Sequence, residues 1–279
     1  MAYYGEHLYD FFQPKFNRYG LYYNELPFYW EGCKVRLVHI SDYVKYHYPI
    51  KESVKTTETQ MGNPQWNKRK IVVSSIVDPD ADSVTFTAKI YLSGQYSTLG
   101  RSAYGIGPKD KSVNMDYRKP IWKFLGIDNP LSLNARMQSF RQPYIAEVDC
   151  IYGTKGIVEN VQDTLKLDLS NWFPHVIEKI SKNEMRYLNF YNDFMGEDEF
   201  EYTIQTTRVV QLLNPGTVFD ITNPFGAYKL SVTQLNQTTI KVNSVFKTHA
   251  EVISPVDFDY VVDIYSAIKN ANQIKILVK

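Results

Sequence analysis

Net charge is nearly absent from this sequence: 31 Lys and Arg stand against 30 Asp and Glu. No global field therefore draws the chain towards nucleic acid or an anionic membrane. Long apolar runs are missing too, and nothing approaches the ~20 consecutive apolar residues that a membrane-spanning helix needs. Cysteine is scarce, with only Cys33 and Cys150. Neither lies in a CxxC or CxxxH pair, which argues against metal binding; they fit one disulfide or two buried thiols. The opening residues, Met1 to Glu6, lack the basic head and apolar stretch of a secretory signal. That fits a cytoplasmic protein, or a piece of a longer secreted chain.

What is abundant is tyrosine, 22 residues against 4 Trp, within an aromatic content of 15%. Tyrosine suits half-buried sheet faces, where its ring packs and its hydroxyl stays wet. Residues 1–30 concentrate these rings without a period of two or of 3.6, and read as an irregular aromatic arm lying against the body. The sharper alternative is a carbohydrate- or peptide-binding platform, with Tyr22, Tyr23, Tyr29 and Trp30 as the candidate contacts.

Beyond the arm, alternation dominates. Val84, Phe86, Ala88, Ile90 and Leu92 take every second place after the turn Asp78-Pro79-Asp80, and Ser93-Gly94 ends that strand. Ala146, Val148, Cys150 and Tyr152 alternate, as do Leu165, Leu167 and Leu169, and Phe200, Tyr202 and Ile204. Tyr228, Leu230 and Val232 turn through Leu235–Thr238 into Ile240 and Val242, a hairpin. Ser254 as N-cap and Pro255 at the first helical position announce a helix over about 255–270, with a stripe of Phe258, Val261, Val262, Tyr265 and Ile268. Ile274, Ile276 and Val278 form a last strand. The pattern predicts a mainly β fold. It has two antiparallel, sandwich-like modules at 31–185 and 186–279, with the helix packed on the second. The weakly patterned stretch 171–192 reads as the linker between them.

The residue clusters that could carry chemistry have bland readings beside the sharp ones. Cys33, His39 and Asp42 supply a thiol, an imidazole and a carboxylate within ten residues. A cysteine hydrolase built on them needs thiol and imidazole in contact, yet six residues along a strand span roughly 20 Å. His7, His47, His175 and His249 are scattered without metal-ligand spacing. Lys68-Arg69-Lys70 reads as a solvated loop, with an anion contact as the alternative. The acidic run Glu197, Asp198, Glu199 and Glu201 also reads as a solvated loop, since calcium-loop spacing is absent. Gly100–Gly107 matches no phosphate-binding fingerprint and reads as loop. Asn236-Gln237-Thr238 formally matches a glycosylation acceptor. No residue is assigned to catalysis, a cofactor or a metal.

LPFYWEG (Leu26 to Gly32), SGQYSTLGR (Ser93 to Arg101) and the closing hairpin, Pro-capped helix and IKILVK (Ile274 to Lys279) resemble the C-terminal region of large secreted transglutaminase-like proteins of the Bacteroidetes. The resemblance spans roughly Leu26 to Lys279 and rests on strand and turn patterns. In that family the catalytic Cys, His and Asp belong to a core that would lie upstream, and neither Cys33 nor Cys150 has the nucleophile's flanking pattern. The resemblance therefore implies a non-catalytic accessory region, structural or substrate-presenting. Its partner would be the transglutaminase-like core of a parent chain, and its home extracytoplasmic, in the periplasm or at the cell surface.

Overall fold

A computed structural model describes residues 2–4, 7–9, 31–41, 51–59, 61–78, 80, 83–104, 130–155, 158–161, 164–168, 172–175, 180 and 186–279. The chain divides into two compact units, Met1–Asn63 and Pro64–Lys279.

In the first unit β1 (Ala2–Tyr4) pairs antiparallel with β2 (His7–Tyr9), and β3 (Lys34–Ser41) with β4 (Lys51–Glu58). Gly32 precedes β3 at φ +62°, a left-handed conformation that costs a glycine nothing, and a side chain there would collide with the Met61 sulfur. Thr59 closes the β3–β4 ribbon: its amide donates to the Cys33 carbonyl at 2.9 Å, and its Oγ1 accepts from the Cys33 amide at 2.7 Å.

The second unit is organised by an eight-stranded sheet. Its strands are β5 (Lys68–Val77), β6 (Ser83–Ser93), β7 (Pro130–Met137), β8 (Ala146–Lys155), β12 (Glu197–Thr206), β13 (Gly216–Thr222), β14 (Gly226–Asn236) and β15 (Thr239–Thr248). Their spatial order is β13-β14-β15-β12-β5-β6-β8-β7. All pairs are antiparallel except β5–β12, which is parallel, so the sheet is mixed. A three-stranded sheet joins β9 (Val158–Val161), β10 (Thr164–Asp168) and β17 (Lys275–Val278), and a two-stranded one joins β11 (Phe190–Tyr191) and β16 (Val252–Ile253).

The mainly β fold with a C-terminal helix is as the alternation requires. The sheet, however, runs across the expected boundary at 185/186, because β5 and β12 lie side by side in register from Lys68↔Glu197 to Val77↔Thr206. Period-two patterning reveals which face a residue takes but not which strand will be its neighbour. Within the stretch read as a linker, Trp172, Phe173, His175, Ile180 and Phe190 are buried. Gly100 also departs from its loop assignment, since it lies inside α1 (Gln95–Tyr104).

One face of the large sheet is apolar across its width. Leu133, Cys150, Ala88, Val73, Tyr202, Val242 and Val232 form one lateral row, strand by strand. Each fully buried Val or Ile there contributes on the order of 1.5–3 kcal/mol. The opposite face is a charge ladder, with Lys70 between Glu199 and Glu201 and Arg136 between Glu147 and Asp149. Asp80 donates its amide to the Asp78 carboxylate at 3.1 Å, the turn mechanism anticipated between β5 and β6.

After β16, Ser254 caps a short 3-10 turn: it accepts from the Asp257 amide at 3.3 Å and donates to the Asp257 carboxylate at 2.7 Å. α2 (Asp259–Ala271) continues from there. Phe258, Val261, Ile264, Ile268 and Ala271 are its buried stripe, whereas Val262 and Tyr265 of the expected stripe stand half-exposed. Ile264, three on from Val261, is the residue that the helical period turns inward.

Candidate functional site

Two charged clusters that read separately as solvated loops turn out to be adjacent strand starts. Lys68, Arg69 and Lys70 lie opposite Glu197, Asp198 and Glu199, one against one, across the parallel β5–β12 pair. The outer members of each triplet face the charge ladder. Arg69 and Asp198 face inward, and their side chains are wholly buried. Arg69 Nε donates to Asp198 Oδ1 at 2.6 Å and Nη2 to Oδ2 at 2.5 Å, a bidentate fork. The guanidinium lies over the rings of Phe200 and Tyr96, with its carbon 5.1 and 5.8 Å from their centroids.

The same carboxylate holds a histidine. His175 Nδ1 lies 3.0 Å from Asp198 Oδ2, and His175 Nε2 lies 2.8 Å from Ser244 Oγ. Tyr228 Oη is 3.1 Å from that serine oxygen. Phe200, Tyr228 and Phe246 surround the imidazole edge-to-face, at 4.9, 5.6 and 5.9 Å between centroids.

Four consecutive residues are gripped to set His175 in place. Tyr202 donates its hydroxyl to the Trp172 carbonyl at 2.6 Å, and Asn272 accepts from the Phe173 amide at 3.1 Å. Arg69 Nη2 donates to the Pro174 carbonyl at 2.8 Å, and Asp198 and Ser244 hold the imidazole. This irregular segment is ordered by buried polar side chains of the sheet and of the residue that ends α2, which is why its own sequence shows no period.

The charge states are set by the surroundings. Burial pushes the Asp198 carboxyl up, but Arg69 and His175 outweigh burial and hold it at about 2. Burial pushes the His175 imidazole below its ordinary range, aided by Arg69 and opposed by Asp198. A neutral imidazole with Nδ1–H donates to Asp198, and its Nε2 then accepts from Ser244. Ser244 in turn accepts from Tyr228, whose phenol burial pushes above its ordinary range, keeping it a donor. Donors and acceptors thus form one ordered chain from Tyr228 to Arg69.

Ser244, His175 and Asp198 have the connectivity of a nucleophilic triad, serine to imidazole to carboxylate. Their surroundings differ. Ser244 and Asp198 are each 0% exposed. Both Asp198 oxygens are forked by Arg69, and Ser244 Oγ lies between Tyr228 and His175. A substrate carbonyl reaches Ser244 only if this sheet face opens. An open cleft of about 290 Å³ at the strand starts is lined by Lys68, Glu197, Lys247 and His249, among others, and contains none of the five array residues. As arranged, the array joins β5, β12, β14, β15 and the 172–175 segment.

The cysteine-hydrolase candidates are not members of this array. β3 is extended, so Cys33, just before it, and His39, within it, are separated by roughly 20 Å of strand. Cys33 Sγ donates to the Glu31 carbonyl at 3.6 Å. Asp42, His47 and the aromatic candidates Tyr22, Tyr23, Tyr29 and Trp30 lie outside the described residues. Cys150 is buried, and burial pushes its thiol up to about 12. Among the described residues, no three His, Cys, Asp or Glu side chains form a group that could hold a metal, and no helix is long and apolar enough to cross a membrane. The array itself had a signal: Asp198 continues the inward parity of Phe200, Tyr202 and Ile204, and Arg69 that of Ile71 and Val73.

Residues 169–278 match the model of a domain of unknown function with a solved structure, DUF3858. Arg69, the counter-charge of Asp198, lies outside that span. A solved structure from Parabacteroides distasonis, described as a "putative protease", is similar at 19% identity and a TM-score of 0.31; the match covers 35% of this chain and 19% of that one. No curated protein matches. Within the second unit, residues 169–278 are thus similar to a domain of unknown function.

Proposed function

We propose that this chain is a non-catalytic accessory region of a longer, extracytoplasmic protein, lying beside a transglutaminase-like core and either bracing it or presenting substrate to it. The observation that carries this reading is the closed state of the array. Its serine is buried, its carboxylate is forked by Arg69, and its imidazole is engaged at both nitrogens. Groups placed in that way hold five segments together and leave no reacting atom for a substrate. The resemblance of LPFYWEG, SGQYSTLGR and IKILVK to the region downstream of such a core supports the partner and the location.

The test is to assay the whole chain for peptidase and transamidase turnover, alongside labelling by a thiol-reactive probe. The expected result is no turnover above the rate of a heat-unfolded control. Turnover that is abolished by Cys33→Ala, with Cys33 specifically labelled, would overturn the reading and restore a cysteine hydrolase.

A further inference from the structure

Across the outer face of the large sheet, carboxylates are paired. Glu147 and Asp149 meet Arg136 at 2.8 and 3.1 Å, Glu197 meets Lys247 at 3.1 Å, and Asp220 meets Lys229 at 2.9 Å. Glu199 and Glu201 share Lys70, each at 3.3 Å. This regularity breaks around β11 and β16. Asp193, Glu251, Asp257, Asp259 and Asp263 have no ion pair among the described residues. No Lys or Arg occurs from Tyr187 to Glu201 or from Ala250 to Ile268. Arg186, just before the first stretch, lies over the rings of Phe190 and Phe258 at 5.2 and 4.5 Å.

These carboxylates are interspersed along the chain with exposed apolar side chains: Asp193 lies two residues from Tyr191, Glu251 precedes Val252, and Asp257 follows Val256. Tyr191 and Val252 are directly opposite on β11 and β16, and their neighbours Phe190 and Ile253 take the inward face. Tyr187 is 86% exposed, Leu188 80% and Val256 91%. Phe190 and Phe258, 5.8 Å apart, bring the 187–191 and 252–258 segments together beneath these side chains. Large apolar groups clustered in this way, with a rim of one charge sign, mark a recognition surface better than a solvated one.

We propose that this surface docks a protein partner that presents an apolar centre flanked by Lys or Arg, the side chains that would supply the missing counter-charges. The inference deepens the accessory reading and rests on it, since it names the face by which such a region would engage its neighbour. Tyr191 and Leu188 are its central anchors, and Asp259 and Asp263, one turn apart on α2, its electrostatic rim.

The experiment titrates the whole chain, at about 0.15 M salt, with a synthetic amphipathic helix bearing a leucine stripe flanked by lysines. One control peptide has the same composition with the stripe scrambled, and another carries Glu in place of Lys. The striped lysine peptide is expected to bind at least about tenfold more tightly than either control. Tyr191→Ser with Val256→Ser is expected to remove that advantage while leaving the urea unfolding midpoint in place. Asp259→Asn with Asp263→Asn is expected to flatten the salt dependence. Equal binding of the scrambled peptide, or unchanged binding by the Tyr191/Val256 variant, would overturn the proposal. So would sedimentation showing that the chain pairs with itself through this patch. Catalytic turnover by the chain would sink the accessory reading and leave the peptide result standing, so the two failures are distinguishable.

Discussion

Arg69 and Asp198 face each other across the parallel junction of β5 and β12, 129 residues apart in sequence, with their side chains sealed from solvent and joined by a two-pronged hydrogen bond. A charge pair at that depth is costly to desolvate, and its value lies in what happens when it is incomplete. Either charge alone at this junction would be uncompensated, so the pair enforces the register in which Lys68, Arg69 and Lys70 meet Glu197, Asp198 and Glu199.

The first prediction rests on that asymmetry. Asp198→Ala or Arg69→Ala should lower unfolding free energy by about 3–5 kcal/mol each, because one buried charge is stranded. Arg69→Met combined with Asp198→Leu should cost much less than the sum. Urea unfolding of the wild type, both single alanine variants and the paired apolar variant measures this.

The pH dependence has a definite sign. His175 is held neutral, with its folded pKa below the ordinary value of 6.5, so the unfolded chain binds a proton there that the folded chain refuses. Its contribution is present above pH 6.5 and is lost as pH falls below it. Asp198, held at about 2 against an ordinary 3.8, acts in the same direction lower down, losing its contribution between those values. Urea midpoints should therefore fall from pH 7 to pH 5, and His175→Gln should flatten that slope.

Ser75 is the counterexample to the satisfied array. It is buried at 6% exposure, its hydroxyl has no hydrogen-bond partner among the described residues, and it sits between Phe86 and Ile204 on the neighbouring strands. Removing an unsatisfied buried hydroxyl relieves about 1 kcal/mol or more of desolvation. Ser75→Ala should thus raise the urea midpoint.

How much of this was legible beforehand depends on the range over which each signal acts. Alternation is local, so β6, β8, β12, the β14–β15 hairpin and the terminal strand are all visible in the sequence. The helix cap at Ser254 is local too. Pairing between β5 and β12 is not local, and it alone converts two charge runs from surface features into a core junction. The 172–175 segment was illegible for the same reason: its order comes from Tyr202, Asn272, Arg69 and Asp198, none nearer than 23 residues. α1 lies just beyond Gly94, and its start was not legible because a glycine at φ +57° marks a turn without specifying the next element.

Cys150 offers a readout of the fold's integrity. Its thiol is buried and pushed up to about 12, so it should resist alkylation in the native chain. Labelling at Cys150, read by peptide mass spectrometry across a urea series, should rise together with global unfolding. Fast labelling in native buffer would place this strand at an opening edge.

The most direct test concerns Ser244 itself. Treat the native chain with a fluorophosphonate, which labels serines activated by an imidazole, and map the adduct by mass spectrometry. The expected result is no adduct on Ser244, and a lower urea midpoint for Ser244→Ala, since that change strands Tyr228 and His175. An adduct on Ser244 that disappears in His175→Ala would show that the array meets solvent as a nucleophile, and would contradict a purely architectural role.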